Sequence, residues 1–172
     1  MKVVGNKSTF AIEISESNSE YSYLCTVNIF IDGKNICHVD NQVYLPAFIN
    51  SLSCSVNYLK RKIDHIKFER LFIGLTATEA HRLLTNIRDE DFDTQKFEDE
   101  MYDFHRFLDW GETTDDASCF LIPIDGVLYL TGEFWLNTCS SERSGIIYCA
   151  EVTPEQLTQT IKSAIDILKK KI

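Results

Sequence analysis

Three carboxylates are the residues most able to do chemistry by themselves. Asp115 and Asp116 stand side by side in a polar stretch before an apolar run, and Glu133 lies within the next apolar run. Such a set can hold Mg²⁺ or supply a general acid and a general base. Because the spacing matches no diagnostic pattern, a small metal-dependent enzyme that uses these three residues is an alternative hypothesis.

Other catalytic or metal-binding patterns do not occur in the sequence. It contains no phosphate-binding glycine loop, no G-x-S-x-G and no H-E-x-x-H. The histidines have no metal-site spacing, and none of the six cysteines forms a C-x-x-C pair. We therefore expect no catalytic residue, no metal and no cofactor. Most cysteines should be reduced, small and buried, and His81 and His105 should be partly buried or at the surface.

One stretch of the chain carries almost all of its net charge. Residues 89–116, the acidic segment, contain twelve acidic and two basic residues, a local charge of −10, whereas the whole chain carries −9. Nucleic acids and anionic membranes need clustered Lys and Arg, so neither is expected as the main partner. A concentrated field of one sign favours a basic protein partner. The alternative is a solvated face that keeps the protein soluble.

The acidic segment also has the apolar periodicity of a helix. Four apolar residues recur on one helical face and predict an amphipathic helix over about 95–109. They are Phe97, Met101, Phe104 and Leu108. Asp99, Glu100 and Asp103 project away from this stripe, with Tyr102 and Arg106 next to them. The helix is therefore predicted to show an acidic, aromatic-bearing face to water.

The predicted contact surface combines this helix face with the residues that flank it. Its members are Asp91, Asp93, Asp99, Glu100, Tyr102, Asp103, Trp110 and Glu112. Aromatic side chains beside acids are typical of a binding hot spot for a basic partner. Trp110 has two interpretations, a contact residue or a core residue, whereas the core is favoured for Trp135.

Periodicity predicts the remaining elements. The predicted strands cover residues 9–16, 21–31, 35–39, 119–125, 127–136 and 146–152, with 68–75 as a further short strand. The predicted helices cover 45–64, 76–88 and 95–109, and a last one begins at Thr153. Asp-Gly pairs at 32–33 and 125–126 predict hairpin turns, and Thr-x-x-Glu or Thr-x-x-Gln at 76 and 153 predicts capping boxes. The outcome is a single α+β domain over 1–172, with an antiparallel, hairpin-built sheet and about four helices packed against it.

The N-terminal passage resembles a known family. The string from Val4 to Glu13 (VGNKSTFAIE), the Ile31-Asp32-Gly33 turn and the later LTATEAHRLL at 75–84 are similar to the immunity protein 42 family, bacterial proteins encoded beside polymorphic toxins. The resemblance implies an antidote that occludes one cognate toxin domain, possesses no catalytic residues and acts in the cytoplasm. Many such toxins are nucleases, whose phosphate-binding surfaces are basic.

Two sequence features are consistent with a cytoplasmic protein. The N-terminus has no apolar signal region, and no run approaches the roughly 18 apolar residues of a membrane span. A housekeeping interaction adaptor without a toxin partner is a third hypothesis beside the antidote and the enzyme.

Overall fold

The computed structural model describes residues 1–15, 23–37, 41–60, 69–86, 103–134 and 145–172. The strands in these ranges are β1 (Lys2–Gly5), β2 (Phe10–Ile14), β3 (Leu24–Ile31), β4 (Lys34–Asn35), β5 (Gln42–Tyr44), β6 (Ala117–Ile124), β7 (Val127–Phe134) and β8 (Ile147–Val152). The α-helices there are α1 (Leu45–Lys60), α2 (Ala77–Asn86) and α3 (Pro154–Leu168). Turns of 3-10 helix lie at Glu69–Phe72, Gly111–Thr113 and Lys169–Lys171.

The described strands form two antiparallel sheets. In the first sheet β1, β2, β3 and β4 follow one another, and β5 pairs with the other end of β3. The second sheet has the order β6-β7-β8. Both predicted Asp-Gly turns are confirmed: Asp32, Gly33, Asp125 and Gly126 all have positive φ, the conformation that a tight hairpin connection requires. The α+β class with hairpin-built antiparallel strands is therefore confirmed.

The first sheet has one buried face and one polar face. Buried and half-buried residues alternate along β3, with Cys25, Val27, Ile29 and Ile31 directed into the core. On the polar face, the Lys7 ammonium donates to Glu13 at 2.6 Å, and the Asn28 amide donates to the same carboxylate at 2.9 Å. The bond from Lys7, followed by that from Asn28, holds the pKa of Glu13 below its usual value.

In the second sheet, β6 is buried on both faces from Cys119 to Ile124, which explains its continuous apolar run. Cys119 and Leu121 point into the main core that α1, α3 and the first sheet share. Phe120, Ile122 and Ile124 point the other way and form a second cluster with Phe72, Ala80 and Leu84. Pro123 lies in β6, which is an edge strand as its proline predicts.

Both capping boxes are confirmed, and each fixes the start of a helix. The Glu79 amide donates to the Thr76 hydroxyl at 3.2 Å, and the Glu79 carboxylate accepts from the Thr76 amide at 2.7 Å. Thr153 and Gln156 make the same reciprocal pair before α3. The predicted buried stripe of α3 is also confirmed: Leu157, Ile161, Ala164 and Leu168 are buried.

Several predicted elements need correction. The segment at 69–72 is a 3-10 turn, not part of a strand, and it buries Phe72 beneath α2. In α2 the buried face contains His81 instead of Leu83, which is exposed. The strands β1 and β5 were not predicted, because each is four residues or shorter and has no clear alternation. The ends of the predicted helices beyond 60 and 86 lie outside the described residues.

Candidate contact surface

Most of the predicted contact residues lie outside the described ranges. These are Asp91, Asp93, Asp99, Glu100 and Tyr102. Asp103 is exposed on a helical turn at 103–105. Glu112 belongs to the 3-10 turn Gly111–Thr113, which follows directly on the same stretch of chain. Besides Trp110, the structure therefore locates two of the predicted contact positions, Asp103 and the backbone of Glu112.

The predicted helix does not reach residue 109. The chain leaves the helix at Arg106, which forms an antiparallel bridge with Phe120 on the open edge of β6. The Phe107 amide donates to the Cys119 carbonyl at 2.8 Å, and Leu108 adopts a φ of 62°. Leu108 is buried as predicted. Its backbone, however, has the left-handed conformation, which cannot occur inside a right-handed α-helix. Bonds to a distant strand thus override the local helical periodicity.

Trp110 is a core residue, which corrects its place on the predicted contact surface. It is only 4% exposed, and its ring meets Phe10 and Phe48 edge to face at centroid distances of 6.4 and 5.7 Å. Its indole N–H donates to the Ser55 hydroxyl of α1 at 2.8 Å. The indole therefore anchors the chain below the surface and has too little exposed area to contact a partner.

Two further bonds hold the end of the acidic segment against the fold. The Nδ1 of His105 lies 2.8 Å from the Leu121 carbonyl and, because a carbonyl only accepts, Nδ1 carries the proton. His105 is fully buried between the rings of Phe72 and Phe104. The Tyr58 hydroxyl of α1 donates to the Phe104 carbonyl at 2.6 Å. The expectation of a partly buried or surface His105 is wrong, because this residue fastens the segment to β6.

The exposed charges beside this anchor are mainly negative. Residues 103–116 contain five acids and one base. Arg106 donates to the Asp109 carboxylate at 3.2 Å, although the Asp109 side chain remains 58% exposed. Asp103 and Asp115 are exposed as well, and Asp116 is half-buried. This part of the surface is therefore negative and is held by rigid packing from beneath.

The carboxylates of the alternative enzyme hypothesis do not form a metal site with their neighbours. Glu133 lies on β7, where its carboxylate is 3.3 Å from Nε2 of His81, and Nδ1 of that imidazole lies 2.8 Å from the Thr131 hydroxyl. His81 and Thr131 are fully buried, and the Glu133 side chain is 21% exposed, so the imidazole is fixed within the fold by polar partners on β7. Among the described residues, no group of three His, Cys, Asp or Glu side chains could hold a metal ion. The prediction of a surface or partly buried His81 is also wrong.

The cysteines differ in exposure. Cys25, Cys37 and Cys119 are buried, as predicted for most of the thiols, and burial raises the pKa of both Cys37 and Cys119 to about 12. Cys54 is exposed on α1, and Cys139 lies outside the described ranges. All five described cysteines are free thiols.

Sequence reasoning missed an exposed aromatic pair. Tyr23 and Tyr44 are 48% and 55% exposed, and their rings meet edge to face at a centroid distance of 6.3 Å. The two residues come together because Leu24 pairs with Tyr44 across β3 and β5. The short β5 gave no alternation from which this pairing could be predicted.

In the described parts of the chain, we find no helix with the length and apolar character that crossing a membrane requires. This finding concerns helices only.

Comparison with known proteins gives one family and one similar fold. The sequence model of the family described as Immunity protein 42 matches residues 1–167. A crystal structure titled CdiI from Burkholderia dolosa AUO158 is similar to this chain with 18% identity and a TM-score of 0.55, over 98% of this chain and 99% of that chain. That likeness is one of fold. Comparison with curated proteins gives no match.

Proposed function

Because the chain belongs to the immunity protein 42 family, we propose that it binds one cognate bacterial toxin domain and neutralises it by occlusion. The observation that carries the proposal is the family match over residues 1–167. In this proposal the protein is an inhibitor and not an enzyme, and binding takes place in the cytoplasm. The resemblance seen in the N-terminal passage and the family match point to the same family.

The acidic segment is the proposed contact surface. We place on it Asp91, Asp93, Asp99, Glu100, Tyr102, Asp103 and Glu112, without Trp110. Its negative charge fits a basic partner, and a nuclease domain is the class of toxin whose surface is basic by necessity, since it holds phosphates. Charge of one sign speeds association and sets partner choice more than it sets the final affinity.

The anchoring of residues 104–110 fixes the described end of the proposed contact surface. His105, Tyr58 and Trp110 make hydrogen bonds of 2.6 to 2.8 Å that join this stretch to β6 and α1. A surface that is already ordered loses less conformational entropy on binding than a flexible one. The charged positions at its end are thus presented from a fixed base.

Calorimetry against the toxin domain encoded by the adjacent gene tests the proposal. We expect tight binding that weakens as salt rises, because exposed charges are screened beyond about 8 Å at physiological ionic strength. The double reversal Asp99→Lys with Asp103→Lys should weaken binding roughly tenfold or more, chiefly through slower association.

The matched control reverses two acids on a different helix. Glu155→Lys with Asp166→Lys makes the same charge change on exposed positions of α3 and should leave affinity nearly unchanged. Absence of binding by the wild-type chain would overturn the proposed function. Equal weakening by both pairs of reversals would show that only the net charge matters, and it would remove the acidic segment as the contact surface.

A further inference from the structure

We propose that the groove between α1 and residues 106–113 is a second part of the toxin-binding surface, one in which α1 offers only uncharged side chains. In this arrangement it receives a segment of the toxin domain in which an apolar side chain stands beside a Lys or Arg. The inference rests on the proposed function and assigns a second region to the same interface. We call this region the α1 groove.

The α1 groove consists of two depressions that share Ser51. One has a volume of about 350 Å³ and lies between α1 and the stretch from Arg106 to Asp109. The other has a volume of about 290 Å³ and lies among β5, α1 and the turn that follows Trp110. Ala47 and Cys54 are exposed along the groove. The two depressions therefore adjoin each other at Ser51 on α1.

The exposed side of α1 has an unusual composition for a surface helix. Residues 45–59 contain no Asp, Glu, Lys or Arg, and the first charged residue of α1 is its last, Lys60. An exposed helical face in a globular protein normally carries charged residues. Charged residues are depleted at the centres of protein interfaces, whereas tyrosine is enriched there.

The aromatic pair lies at one end of the α1 groove. Tyr44 lines the second depression, and Tyr23 packs on Tyr44. Exposed tyrosines that are packed against each other offer a large contact area with little entropy left to lose. They are the strongest candidates for hot-spot residues among the described surface residues.

Buried side chains form the floor of the α1 groove. Trp110 packs under it against Phe48, and its N–H is bonded to Ser55, so the two sides of the groove are joined directly. The Trp110 amide donates to the Thr114 hydroxyl at 3.0 Å, which ties the neighbouring turn to the same floor. A partner therefore meets a preformed recess instead of one that must open.

Charge identifies the occupant. The chain opposite α1 belongs to residues 103–116, which have five acids and one base. Within the first depression itself, Asp109 and Arg106 form an ion pair at 3.2 Å, and the Asp109 side chain remains 58% exposed. A second acidic molecule, including another copy of this chain with its charge of −9, meets repulsion there. A basic toxin segment meets attraction from the acidic residues beside the groove and contact with uncharged side chains on α1.

Filling the α1 groove with neutral side chains separates its role from that of charge. In the full chain, Ala47→Gln with Ser51→Gln enlarges two residues that line the depressions while glutamine keeps good helix propensity. We expect affinity for the toxin domain encoded by the adjacent gene to fall roughly tenfold or more, as for hot-spot surfaces, with the salt dependence retained. Tyr44→Ala should weaken binding by a similar factor.

The matched control fills another depression with the same side chains. Thr158→Gln with Ser163→Gln occupies the space of about 490 Å³ between α3 and the end of α1, and it should bind the toxin domain within about twofold of wild type. A second readout is alkylation of Cys54, which bound toxin should slow in the wild-type chain.

The possible results distinguish the two proposals. If wild type binds the toxin domain and the groove variants bind equally well, the α1 groove is excluded while the antidote function stands. If wild type does not bind, the proposed function itself fails. If the groove variants change only the sedimentation behaviour of the free chain, the occupant is a second copy, and the inference is overturned. Circular dichroism of each variant checks that it is folded.

Discussion

The helices α1 and α3 pack against each other, yet their exposed sides differ completely. Both bury an apolar stripe in the main core, including Leu52 in α1 and Ile161 in α3, each with no exposed surface. The exposed side of α3 bears Glu155, Lys162 and Asp166, whereas α1 has no charge before Lys60. The two helices thus pack into the core in the same way, through an apolar stripe. They differ in the charge of their exposed sides, and therefore in the partners that those sides can bind.

The helices also begin in different ways. α3 starts with its own capping box, in which Thr153 and Gln156 satisfy each other's backbone amides. α1 follows β5 directly, and the Leu45 amide donates to the Tyr23 carbonyl at 2.8 Å. The start of α3 is therefore encoded locally, whereas that of α1 depends on a contact with Tyr23, the residue that precedes β3.

The largest expected effect tests whether the buried stripes are equivalent. Leu52→Ala and Ile161→Ala should each lower the free energy of unfolding by about 2–5 kcal/mol, because each removes a fully buried side chain and leaves a cavity. Urea denaturation measures this change. The exposed controls Asn57→Ala and Gln159→Ala should stay within about 0.5 kcal/mol of wild type. A core substitution that behaves like its control would refute the shared core.

An intermediate effect is expected at the start of α3. Thr153→Ala removes the hydroxyl that accepts from the Gln156 amide at 3.1 Å, so the free energy of unfolding should fall by about 0.5–2 kcal/mol. Thermal or urea unfolding measures this loss, and Thr153→Ser, which retains the oxygen, is the control. If alanine and serine were equally stable, the capping box would contribute nothing.

The smallest effect on stability is expected for substitution of Cys54, which lies on the exposed side of α1. Its reactivity toward an alkylating reagent should nevertheless differ clearly from that of the buried cysteines. Thiolates react and thiols do not, so raising the pH speeds alkylation of an exposed cysteine. Burial raises the pKa of Cys37 and Cys119 to about 12, so both remain unreactive thiols at the pH of the labelling experiment. In a Cys139→Ser background at about pH 8, the exposed Cys54 should be labelled first, and the buried Cys37 and Cys119 only on unfolding.

The labelling is followed by mass spectrometry, and Cys54→Ser identifies the fast phase. If that phase persisted in the Cys54→Ser variant, another thiol such as the half-buried Cys149 would be the fast-reacting one, and the prediction for Cys54 would be wrong.

Local patterns predicted the parts of the fold whose causes are local. The turns at Asp32-Gly33 and Asp125-Gly126 and the two capping boxes follow from neighbouring residues alone. The apolar stripes of α1 and α3 follow from helical period. Of the proposed contact surface, the sequence located the acidic segment by its charge, and the structure describes only Asp103 and the backbone of Glu112 within it, besides the buried Trp110.

Local patterns failed where a distant element competes. Residues 103–105 are helical, but Arg106 and Phe107 bond to β6 instead of continuing the helix. Backbone hydrogen bonds to a strand edge satisfy the same groups that a helix would satisfy, so periodicity cannot tell the two apart. The burial of His81, His105 and Trp110 likewise depends on partners 16 to 55 residues away in the chain.

The sequence by itself determined the α+β class, the hairpins, the helix caps and the concentration of negative charge in residues 89–116, because each depends on residues that are close together in the chain. Only the tertiary structure decided that Trp110 is an anchor, that Tyr23 and Tyr44 form an exposed pair, and that an uncharged side of α1 borders the acidic residues. Those outcomes depend on strand pairing and on packing between distant elements, which composition and periodicity do not specify.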